Sequence, residues 1–97
     1  MSKPKVKTRP FDPAEFLDND EAVAAYLDEA LATSDPAFIA DALGVIARAR
    51  GMTQIARDAG VGRESLYKAL SADGNPGFET VLRVIKALGL KLKIEPA

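Results

Sequence analysis

The 97-residue chain amounts to a single domain, near the lower limit for a core that stands without staples. It has neither cysteine nor histidine, which excludes a disulfide scaffold, thiolate or imidazole metal sites and any Ser-His or Cys-His nucleophile pair. The formal net charge of −1 conceals three blocks: residues 1–9 are basic, residues 10–41 hold nine acidic residues and no basic one, and the rest is mildly basic.

Each block alone can be a solvated face, but an acidic third beside a basic remainder suggests two different partners. No apolar run approaches the ~20 residues of a membrane span. The N-terminal Lys3, Lys5, Lys7 and Arg9 precede no apolar core, so no secretory signal is expected. The expected compartment is the cytoplasm, with no membrane partner.

Residues 1–10 have little apolar content and two prolines, and read as a disordered basic arm. Residues 11–17, FDPAEFL, read as a short turn packed on the body. A first helix is expected over 20–32. Asn19 can cap it, Asp20 and Glu21 suit its positive end, and Val23, Tyr26, Leu27, Ala30 and Leu31 recur at helical spacing. Asp35 or Ser34 then caps a second helix with Pro36 in its first turn and an apolar stripe of Phe38, Ile39, Ala42, Leu43 and Ile46. Gly51 ends it. Short helices follow over 53–59 and 63–71, then a turn-rich loop, Ala72-Asp73-Gly74-Asn75-Pro76-Gly77. A last helix over 78–88 carries Phe78, Val81, Leu82, Ile85 and Leu88, and the alternation Leu90-Lys91-Leu92-Lys93-Ile94 reads as a short strand.

The segment MTQIARDAGVGRESLYKALS, residues 52–71, carries the mechanism. Two helices crossing steeply need a small residue where they touch, and Ala56 supplies it. The turn needs a left-handed residue, and Gly60 supplies that. Ile55, Val61, Leu66 and Ala69 lock the pair, and Thr53 is expected to cap its first helix. This is the spacing of a helix-turn-helix, although the same pattern also fits a purely structural helical pair. The expected fold is all-α: a five-helix, phage-repressor-like domain over 35–89, an acidic extension with the first helix over 11–34, and a C-terminal strand over 90–97.

The chain resembles addiction-module antidotes of the HigA-like group, which carry an XRE-type helix-turn-helix. The resemblance covers about residues 11–97 and rests on FDPAEFL, AYLDEAL, ARARGMT, ARDAGVGRESLYKALSADGNPGFETVLRV and ALGLKLKI. It implies an antitoxin that silences a small basic toxin of the RelE/ParE superfamily and represses its own operon. The alternative is a prophage-type regulator with no toxin. An enzyme is not expected, because the carboxylates crowd one charged helix instead of a cleft built from several elements. No cofactor or metal is expected.

Position in that fold turns Arg63, Glu64 and Lys68 outward on the second helix of the pair. Arg forks onto guanine O6 and N7, Lys reaches the same acceptors, and Glu accepts from cytosine N4. Ser65 and Gln54 are sited to donate to phosphates. Tyr67 can meet a phosphate or cover the loop, and Asn75 can donate to the DNA backbone or shape its own turn. Arg48 and Arg50 can approach flanking phosphates or simply suit a helix C-terminus. Glu64 and Lys68 can equally form an i,i+4 pair. Glu21, Tyr26, Leu27, Asp28, Glu29 and Leu31 are the candidate toxin surface, or a solvated helix face. Leu90, Leu92 and Ile94 are the buried face of a strand that, lacking a partner in its own chain, pairs with its twofold mate in a homodimer.

Overall fold

The structure, a computed structural model, describes residues 19–97. The arm expected over 1–10 and the turn expected over 11–17 lie outside the described residues. Five helices follow in order: α1 Asp20–Ala32, α2 Pro36–Arg50, α3 Met52–Ala59, α4 Arg63–Ala69 and α5 Phe78–Ala87. Asn19 Oδ1 accepts from the Ala22 amide at 2.7 Å and starts α1. Asp35 Oδ1 accepts from the Ala37 amide at 3.1 Å and starts α2, with Pro36 in its first turn.

Helix α1 packs on α2, α2 on α3, and α3 on both α4 and α5. Val23 and Leu27 of α1, Leu43 and Ile46 of α2, Ile55 and Ala56 of α3, Leu66 of α4 and Val84 and Ile85 of α5 form one core cluster. No polar or charged residue is buried among the described residues, so the core holds through apolar area alone. Each large side chain fully buried there contributes about 1.5–3 kcal/mol. One ion pair ties the ends of the first two helices: Arg50 Nη2 donates to Asp20 Oδ1 at 2.7 Å.

Gly60 sits at φ 74°, and its turn closes α3 through Val61 N donating to Ala56 O and Gly60 N to Arg57 O. An L-residue adopts that angle only with strain. Gly44 has a different task. Its missing side chain lets the Leu70 carbonyl, at the end of α4, lie directly against α2.

Four expectations need correction. Phe38, expected on the apolar stripe of α2, is exposed, because the buried face of that helix begins beyond its first turn with Ala40, Leu43 and Ile46. Thr53 does not cap α3: the helix already begins at Met52, Gly51 occupies the cap position, and no side chain caps the end. Thr53 is thus inside the first turn. On α5, Phe78 and Leu82 are exposed while Val84, absent from the expected stripe, is fully buried, because the face packed on α3 is centred on Val84, Ile85 and Leu88. Finally, residues 90–97 form no strand. Leu90 N closes the end of α5 by donating to Ile85 O, and no backbone hydrogen bond follows it among the described residues. Alternating side chains make a strand only where a second ladder is present, and among the described residues no other strand is found.

Candidate nucleic-acid interface

Helix α4 is held to the body by Leu66, which is 1% exposed, and by Leu70 just beyond its end. That anchoring turns its other side outward. Arg63, Glu64, Ser65, Tyr67 and Lys68 are all exposed and line one open groove of about 560 Å³. Ser65 and Lys68 also line an adjoining groove with Ser71, Asp73 and Asn75. Six of the seven residues expected at DNA therefore share one continuous surface.

Gln54 is the exception. It is exposed on α3, but its Nε2 donates to Asp58 Oδ1 at 2.9 Å one turn along the same helix. A phosphate contact from Gln54 would require leaving that carboxylate.

The cations of the groove are free of internal partners. Among the described residues, Arg63 and Lys68 form no ion pair or side-chain hydrogen bond, and the i,i+4 pair between Glu64 and Lys68 is not made. Arg57, Lys86, Lys91 and Lys93 are likewise unpaired among the described residues, and two other basic residues are not. Arg50 is committed to Asp20, and Arg83 to Glu79 at 2.7 Å and to the Ala59 carbonyl. Sequence spacing did not disclose the partner of Tyr67. The Arg48 guanidinium lies over its ring, 5.6 Å from the centroid. These residues meet only because α2 and α4 pack together, and helical periodicity within either element carries no trace of it.

The acidic helix divides in two. Glu21, Asp28 and Glu29 are exposed, whereas Tyr26 and Leu31 are half-buried against the core. Leu27 is 5% exposed and belongs to the core itself, so it is not available on the surface. At the C-terminus, Leu90 packs against the core, while Leu92 and Ile94 are 41% and 91% exposed. An open cavity of about 380 Å³ separates this tail from α1, lined by Leu27, Asp28, Leu31, Ile85, Leu92 and Lys93 among others. Among the described residues no group of acidic side chains could hold a metal ion, and no helix is long and apolar enough to cross a membrane.

Residues 7–96 match the model of a family described as a probable addiction module antidote protein. The chain belongs to that family. It is also similar to a protein of Haemophilus influenzae described as an uncharacterized protein, at 54% identity over 85 residues and 88% of each chain. No solved structure matches. An antidote of an addiction module implies a toxin as its partner in general terms.

Proposed function

We propose that the chain is the antitoxin of a type II module, of the HigA-like group, that neutralises a RelE/ParE-superfamily toxin and represses its own operon. In this reading α3 and α4 are a helix-turn-helix, α4 enters the major groove of operator DNA, and a homodimer places two such helices on two half-sites. The mildly basic part over 42–97 carries the DNA surface, and the acidic part over 11–41 carries the toxin surface.

The observation that carries the proposal is the groove on α4. Its cations are exposed, convergent and unpaired among the described residues, whereas Arg50 and Arg83 are spent on internal carboxylates. Unpaired cations beside a short outward helix are what a phosphate-lined groove requires. The Gly60 turn that sets α4 against α3 supports the same reading.

The test pairs two measurements. The chain is co-expressed with the product of the adjacent reading frame, and binding to the upstream DNA is read by gel shift. Co-purification together with a shift supports the proposal. A shift without any toxin partner leaves the prophage-type regulator instead. Arg63→Ala should lose about 1–3 kcal/mol on the operator and relax one base position in each half-site. Unchanged affinity and specificity would remove Arg63 from the interface.

A further inference from the structure

Arg48 is held in place without being satisfied. Arg50 donates to a carboxylate, and Arg83 to a carboxylate and a carbonyl. Nothing among the described residues accepts a hydrogen bond from Arg48, which is exposed near the end of α2. Yet its guanidinium is stationed over the Tyr67 ring, 5.6 Å from the centroid. A cation–π contact of this kind restrains the cation and leaves its N–H donors without a hydrogen-bond acceptor. An arginine positioned in this way is prepared for an acceptor from outside the chain.

The surroundings say which acceptor. Tyr67 is half-exposed and forms part of the wall of the groove lined by Arg63 and Lys68, so Arg48 extends that groove beyond α4 and onto α2. The extension depends on Gly44, one turn before Arg48. Any side chain there would meet the Leu70 carbonyl and force α2 and α4 apart, and Arg48 Nη1 itself lies 3.1 Å from where that side chain would begin.

We propose that Arg48, held over Tyr67, binds a backbone phosphate of duplex DNA just outside the bases met by α4. The proposal rests on the reading of α3 and α4 as a DNA-binding pair. A guanidinium presents its N–H groups as a planar fork that matches two phosphate oxygens. The ring limits where the guanidinium can go, so less freedom is lost on binding. The contact is blind to base identity and acts on affinity and register.

The experiment reads operator binding by fluorescence anisotropy across salt from about 50 to 200 mM, where each neutralised phosphate adds about 0.9 to the slope of log affinity against log salt. The full chain is compared with Arg48→Gln and Arg48→Lys, each checked for an unchanged thermal transition. Arg48→Gln should lower the slope by about 0.9 for each subunit on the DNA and leave the base preference as it was. Arg48→Lys should restore the slope but not the full affinity, because an ammonium lacks the planar fork. In a Tyr67→Leu background the loss from Arg48→Gln should shrink, since the arrangement over the ring is already gone.

A wild-type slope in Arg48→Gln, with the operator still bound, overturns this proposal alone and leaves Arg48 as a packing partner of Tyr67. Losses that add fully in the double variant overturn the arrangement over the ring. If the unaltered chain binds no upstream DNA at any salt, the helix-turn-helix reading fails and this proposal falls with it.

Discussion

A methyl group added at Gly44 would run into the Leu70 carbonyl oxygen, which is backbone and has no rotamer to escape by. Alanine is the better helix former by about 1 kcal/mol, but here the clash decides the sign. Gly44→Ala should destabilise the chain by about 1–3 kcal/mol, seen as a lower urea midpoint with an unchanged slope. Gly60→Ala should cost a similar amount, about 1–2 kcal/mol, for an unrelated reason. Space is not the problem there, since the nearest atom, Arg83 Nη1, lies 3.5 Å away, but φ is 74°. A wild-type midpoint in either variant would refute the cause assigned to it. Gly60 was legible from sequence because a turn between two helices demands such a residue. Gly44 was not, although a glycine within an apolar helix was itself a signal, because a close approach between helices distant in sequence leaves no local pattern.

At the level of whole elements, helix starts separate what a residue type can do from what its position permits. Asp35 bonds the Ala37 amide and truly caps α2, so Asp35→Ala should lose about 1 kcal/mol. Thr53 has equal capping chemistry but lies inside the first turn of α3. Thr53→Ala should therefore change stability by no more than about 0.5 kcal/mol in either direction. Denaturant unfolding of the two variants checks the pair, and a loss of 1 kcal/mol or more from Thr53→Ala would restore it as a cap. The extents of α1, α2 and α5 were readable because caps, prolines and glycines punctuate them. Two things were not. The buried face of α5 shifted onto Val84 because the apolar arc opposite Glu79, Arg83 and Lys86 is wider than the face packed on α3, and spacing does not choose which part of it is covered. The alternation of residues 90–94 failed as a strand because a strand is a property of two ladders, and a sequence displays only one. The contacts of α4 were legible in part. Its outward residues followed from the position of Leu66, whereas the Arg48 cation over Tyr67 depends on packing between α2 and α4.

Across the whole molecule, charge is sorted into blocks along the chain, and the two proposed functions should come apart by mutation. The acidic residues over 10–41 give that stretch a net charge of −9, while the unpaired Arg63 and Lys68 lie on α4. Complementary charge at an interface acts chiefly on association rate and specificity, and like charges brought together cost several kcal/mol. The structure narrows which acids are suited to a test. Asp28 lines the cavity it shares with Lys91 and Lys93, so reversing it would also repel the chain's own tail. Asp20 holds Arg50. Glu21 and Glu29 are exposed and tied to nothing among the described residues, so reversing both should spare the fold. Glu21→Lys with Glu29→Lys raises the net charge of that stretch from −9 to −5. The double variant should melt like the parent and still shift upstream DNA, yet fail to rescue cells expressing a basic toxin. Arg63→Ala should rescue those cells and bind the DNA more weakly. If the reversed protein neutralises the toxin at the parent's dose, α1 is only a solvated face. The toxin would then have to be held by a surface that owes little to this acidity, and the exposed Leu92 and Ile94 of the tail would be the next residues to change.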